Sequence, residues 1–239
     1  MSGLVRGVRI GSREKFRMCF SATASFTLGA ALIPAGAYCV YQACVKKPSY
    51  LGLATVPLLF GIQQICEGFV WLGIHDRDLA RTRTASLAFL FFALAVWPFW
   101  FPLQAAIMER DPPRRTILIV VSLLSMAWFW VLFWPIVSGP ETLLETRVER
   151  HSIQYDYPEL PIYRYIRVGV LRILYFATVA LPFVISSERF GRLPGIALGS
   201  SALISAVVFH YAYVSVWCFF AAVLAIFFCF MFRALPARS

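Results

Sequence analysis

Gly61 to Trp71 reads GIQQICEGFVW, and it lies inside an apolar run, Leu51 to Ile74, long enough to cross a hydrocarbon core of about 30 Å. Yet this run carries Gln63, Gln64 and Glu67 in its interior. At about 3.6 residues per turn the spacing i, i+1, i+4 places all three on one helical face. A carboxylate turned to lipid costs on the order of several kcal/mol. The stripe is therefore expected to face other helices, and the chain must supply them.

Composition agrees. The 239 residues are 60% hydrophobic and 14% charged, too little polar surface for a water-soluble domain. The predicted fold class is all-α, a polytopic transmembrane bundle of seven spans. Helix 1 is placed at Phe20 to Val45, helix 2 at Leu51 to Ile74, helix 3 at Thr84 to Met108, helix 4 at Thr116 to Ser138 and helix 5 at Tyr165 to Ser186. The final apolar stretch, Leu193 to Phe232, is twice a single span and divides into helices 6 and 7 at the less apolar HYAYVS, His210 to Ser215. Pro98 and Pro102 are expected to kink helix 3, and Gly195 and Gly199 form a small-residue GxxxG spacing.

Residues 1–17 read as an N-terminal extension outside the 18–239 domain, and residues 139–164 as a long outer loop. Within that loop LLETRVER is expected to form a short helix, and YDYPELP an extended segment because Pro158 and Pro161 restrict the residues before them. The loop is long enough to fold as a lid over the Glu67 stripe.

The formal charge of +10 comes from short basic clusters between apolar runs, so it points to cytoplasmic loops and not to nucleic acid. Lys46, Lys47, Arg110, Arg114, Arg115, Arg189, Arg192, Arg233 and Arg238 fall on one face and outnumber Arg77, Arg81, Arg83, Arg147, Arg150 and Arg164 on the other. This favours N-out, C-in in an inner membrane, provided that translation starts at Met18. The basic residues before Met18 remove the preference if they are present. The six cysteines lie in or beside apolar runs without CxxC spacing and read as small buried side chains.

MCFSATASF (Met18 to Phe26), FGIQQICEGFVWL (Phe60 to Leu72), WPFWFPL (Trp97 to Leu103), RHSIQYDYP (Arg150 to Pro158) and SVWCFFAA (Ser215 to Ala222) resemble, in that order, a family of small prokaryotic integral membrane proteins of unknown function. The resemblance covers Met18 to about Phe232 and implies a start at Met18. It carries over no catalytic residues.

Arg172 in helix 5 is placed at the same depth as Glu67, about 10 Å below the outer boundary at about 1.5 Å per residue, so the two are expected to pair directly or through Gln63 or Gln64. His75, His151 and His210 fall on one face and, with Asp76 and Asp78 nearby, are candidate metal ligands, although no HxxxH or HExxH spacing fixes two on one helix. Ser21, Thr23 and Ser25 lack a GxSxG elbow, and hydroxyls of this kind commonly bond between helices. The only lysines are Lys15, Lys46 and Lys47, so helix 7 offers no amine for a retinal Schiff base. The absence of Walker and GxGxxG motifs argues against nucleotide and dinucleotide cofactors.

The leading expectation is a non-enzymatic small-molecule sensor or carrier with a polar pocket around Gln63, Gln64, Glu67 and Arg172. The alternatives are a membrane-embedded, metal-dependent hydrolase and a structural subunit of a membrane complex.

Overall fold

Prolines fall inside the spans of this protein as well as at their starts. The structure, a computed structural model, describes residues 21–149, 151–187, 195–197, 199–201, 203–205 and 213–235. Among them six helical segments are long and apolar enough to cross a membrane: Ala22–Lys46, Pro48–Asp76, Leu79–Met108, Pro112–Ser138, Val168–Ile185 and Tyr213–Arg233. The chain is an all-α membrane protein of this type. A shorter apolar helix, Gly195–Ser205, lies where helix 6 is expected.

The first span is one helix, α1 (Ala22–Lys46), whose cap Ser21 accepts a bond from the Ala24 amide. The second is α2 (Leu51–Ala54) and α3 (Val56–Asp76), separated at Thr55 just before Pro57. The third is α4 (Leu79–Phe91) and α5 (Trp97–Met108), joined by a π-helical stretch, Phe92–Val96. The fourth is α6 (Pro112–Ser125) and α7 (Trp134–Ser138), joined by a π-helical stretch at Phe129–Phe133. Both π segments precede a Trp-Pro pair, Trp97-Pro98 and Trp134-Pro135. Proline has no N–H to give and its ring crowds the carbonyl four residues back, so the helix widens by a residue there. The remaining helices are α8 (Val168–Ile185), α9 (Gly195–Ser205), α10 (Tyr213–Ala225) and α11 (Phe227–Arg233).

Connections are tight where the sequence supplies caps. Arg77 takes a left-handed conformation, φ 57°, that ends α3, and Asp78 then caps α4 by accepting from the Arg81 amide at 2.9 Å. Asp111 caps α6, with proline at the first helical positions.

The segment after α7 departs from expectation. In place of a helix at LLETRVER, β1 (Glu145–Glu149) pairs antiparallel with β2 (Ser152–Asp156), Glu145 opposite Asp156 and Glu149 opposite Ser152. The reason is period two. Ile153 and Tyr155 alternate with polar neighbours and bury the same face, and Tyr155 stacks on Phe89 at 5.0 Å. His151 sits in the turn with φ 65°, a conformation in which histidine is enriched.

The hairpin covers one end of the bundle, where Arg83 reaches the Glu141 carbonyl. At the opposite end Lys46 donates to the carbonyls of Phe232 and Arg233, and Arg114 to that of Ile185. The helix 5 boundary moves: α8 starts at Val168 with Arg167 as its cap residue. Of the expected turn at His210 to Ser215, the described part, Tyr213 to Ser215, is helical. Residues 1–17 and His210 lie outside the described residues. At the GxxxG pair only Gly195 marks a close approach, since a Cβ there would lie 2.5 Å from the Phe183 Cβ, whereas one at Gly199 would meet nothing nearer than 3.8 Å.

Candidate functional site

The glutamine-glutamate stripe is built on α3, which packs on α1 through a glycine contact. A Cβ on Gly29 would come within 2.9 Å of the Gly61 carbonyl, so the two backbones touch there. That approach carries Ser25, one turn before Gly29, to the level of Glu67. Gln63, Gln64 and Glu67 are buried, at 0%, 0% and 2% exposure.

The three side chains divide into two groups. Gln63 accepts a bond from the indole N–H of Trp97 at 2.7 Å, donates to the Phe89 carbonyl at 3.4 Å and lies 3.4 Å from the Cys218 sulfur. Its amide thereby joins α3 to α4, α5 and α10. Gln64 donates instead to Glu67 Oε2 at 3.3 Å, and the Ser215 hydroxyl donates to Glu67 Oε1. The Ser25 hydroxyl bonds the same carboxylate. Glu67 is thus held by side chains of α1, α3 and α10, while Gln64 Oε1 is buried with no partner.

The expected pairing of Glu67 with Arg172 does not form. Glu67 lies nine residues from the end of α3 at Asp76, about 14 Å along the axis at about 1.5 Å per residue, while Arg172 is about 6 Å into α8. The later start of α8 moves the arginine toward the end of the bundle. Its guanidinium lies over the Tyr213 ring at 5.7 Å, and Arg172 makes no ion pair or hydrogen bond among the described residues.

Arg172 borders a cavity of about 510 Å³ under the hairpin, a size common for small-molecule sites. Its walls include Tyr157, Tyr163, Tyr175, Tyr213 and Trp217, with Glu149 and Asp156 from the hairpin. Asp156 is already engaged by Arg147 at 3.0 Å and by Gln154 at 2.9 Å. Burial pushes the Tyr163 phenol up to about 12 against the opposing pull of Arg172, and burial likewise raises Tyr157. Both therefore remain hydroxyl donors at neutral pH. Gln63, Gln64 and Glu67 do not line this cavity, but Tyr155 and Cys218 do. Burial, with the Glu67 charge adding to it, pushes the Tyr155 hydroxyl up, so the Tyr155 side chain lines the cavity and also feels the carboxylate. The Tyr155 hydroxyl and the Trp217 indole N–H are both closed off from solvent without a partner.

Among the described residues no group of three or more His, Cys, Asp or Glu side chains is placed to hold a metal ion. His75 and His151 belong to no such group, and His210 lies outside the described residues. The five described cysteines are free, with Cys39 and Cys229 sulfurs 3.7 Å apart.

Sequence reasoning missed two features. Ser215 lies in the apolar SVWCFFAA run, where a single hydroxyl carries no pattern. The second is at the other end of the bundle. There the Glu109 carboxylate, 3% exposed, accepts from the amides of Arg110 at 2.9 Å, Asp111 at 3.0 Å and Ser187 at 2.7 Å and from the hydroxyls of Ser186 and Ser187.

A family model described as Family of unknown function (DUF6629) matches residues 18–238. No curated protein and no solved structure matches the chain.

Proposed function

The chain belongs to DUF6629, a family of unknown function, and we propose from its geometry that it is a membrane-embedded sensor or carrier for a small molecule with an anionic group and an apolar or aromatic body. One observation carries the reading: Arg172, a cation with no ion-pair partner among the described residues, borders a tyrosine- and tryptophan-walled cavity of about 510 Å³. Guanidinium binds carboxylate or phosphate by parallel N–H bonds, and the protonated phenols of Tyr157 and Tyr163 add donors beside it. The rings of Tyr175, Tyr213 and Trp217 suit an apolar body. Glu149 supplies one acceptor at the hairpin side.

In this reading the hairpin end faces outward. The opposite end faces the cytoplasm of a prokaryotic cell, with Lys46, Lys47, Arg110, Arg114, Arg115 and Arg233 on its surface. Native mass spectrometry of the mildly extracted protein tests the pocket. A small molecule retained at fixed stoichiometry by the wild type is expected to be lost from Arg172→Ala, because a charge-assisted contact worth about 1.5–3 kcal/mol is a factor of about 10 to 100 in affinity. An unchanged adduct in Arg172→Ala refutes the assignment.

A further inference from the structure

A carboxylate buried inside a membrane-spanning helix must have its charge compensated or take up a proton. Every group reaching Glu67 is neutral: the Ser215 and Ser25 hydroxyls and the Gln64 amide. No lysine, arginine or histidine pairs with it among the described residues. Hydrogen bonds from hydroxyl and amide donors offset only part of the cost of burying the ionised carboxylate. They leave its charge uncompensated in a medium where an isolated charge costs several kcal/mol.

Next to that charge is an unfilled acceptor. Gln64 is 0% exposed, its Nε2 is used on Glu67, and its Oε1 has no partner. A proton on Glu67 would neutralise the charge and could be shared with one neighbouring oxygen, so the proton is the competing occupant. A metal cation accepts from both oxygens at once: carboxylate, amide carbonyl and hydroxyl oxygens are the hard ligands of alkali and alkaline-earth ions. With a single carboxylate the site has one negative charge to balance, which selects a monovalent ion.

We propose that Glu67, Gln64, Ser25 and Ser215 form an interior binding site for one monovalent metal cation of the sodium class. Tyr155, which lines the cavity under the hairpin and feels the Glu67 charge, marks the route of entry. The inference goes beyond the pocket reading and does not depend on Arg172, so the two fail separately.

Thermal unfolding of the purified chain in detergent is compared in sodium chloride and in N-methylglucamine chloride at equal ionic strength and pH, together with retention of radioactive sodium in equilibrium dialysis. The wild type is expected to show a saturable rise in Tm with sodium and one retained ion per chain. Gln64→Leu is expected to lose both, Ser215→Ala to need roughly tenfold more sodium, and Arg172→Ala to respond as the wild type. The proposal is overturned by equal melting in the two salts with no sodium retained. It is equally overturned by a rise on acidification that is the same with and without sodium, which identifies the proton as the cation, or by an undiminished response in Ser215→Ala, a variant that removes one hydroxyl and keeps the helices intact.

Discussion

Glu67 and Glu109 are both withdrawn from solvent, at 2% and 3% exposure, and they are satisfied in opposite ways. Glu109 follows the last residue of α5, where amides are not yet committed to a helix. It takes bonds from the backbone of Arg110, Asp111 and Ser187 as well as from two serine hydroxyls. Glu67 sits within α3, where the neighbouring amides are consumed by helical bonds. Only side chains from α1, α3 and α10 can reach it, and these leave the Gln64 carbonyl unpaired. A buried carboxylate at a helix end is a fastener; one at mid-helix with an unfilled acceptor beside it is a candidate site.

Removing each carboxylate tests that distinction. Glu109→Ala removes the shared acceptor of three part-buried amides and two serine hydroxyls, so a loss on the order of 3 kcal/mol is expected in chemical or thermal unfolding. A loss under about 1 kcal/mol would break the comparison from the Glu109 side. Glu67→Leu removes a buried charge that costs several kcal/mol, which offsets the Gln64 amide and Ser215 hydroxyl left unpaired at about 1–3 kcal/mol each. Its expected change is within about 1 kcal/mol. A loss as large as that of Glu109→Ala would make Glu67 a packing element and end its candidacy.

The smallest expected effect is in acid. Burial alone would raise Glu109, but bonds from the Ser187 hydroxyl, the Asp111 and Ser187 amides and the Ser186 hydroxyl hold its carboxyl at about 2, against 4.5 ordinarily. A depressed value stabilises the fold above pH 4.5 and loses that contribution as pH falls toward 2. The wild type is therefore expected to lose Tm across this window more steeply than Glu109→Gln, which has no proton to take up. Parallel acid limbs in the two proteins would show that the Glu109 network does not hold the carboxylate in its charged form.

Much of the fold was legible because its signals are local. Apolar runs of span length and the prolines Pro98 and Pro102 in helix 3 each act on their own stretch of chain. The inward burial of Gln63, Gln64 and Glu67 followed from the cost of charge in lipid. The strand at Glu145 to Glu149 reads as helix in the sequence because LLETRVER has good helix formers, and the hairpin's strand period shows only when Ile153 and Tyr155 have a bundle to pack on. Arg172 was misplaced because a three-residue shift in the start of α8 moves a side chain by about 4–5 Å along the axis, enough to exchange one partner for another.

The sequence by itself determined that this chain crosses a membrane several times, that it has the motifs of its family, and that one helix hides a carboxylate. Which groups meet that carboxylate, and that the lone arginine faces tyrosines and not Glu67, was decided only by the tertiary structure. Burial energy depends on how much of each residue's own surface leaves water or lipid, which composition reports. Partner choice depends on the crossing of helices distant in the chain, such as Ser215 against Glu67 or Ser187 against Glu109, and a shift of one turn rearranges it without changing composition at all.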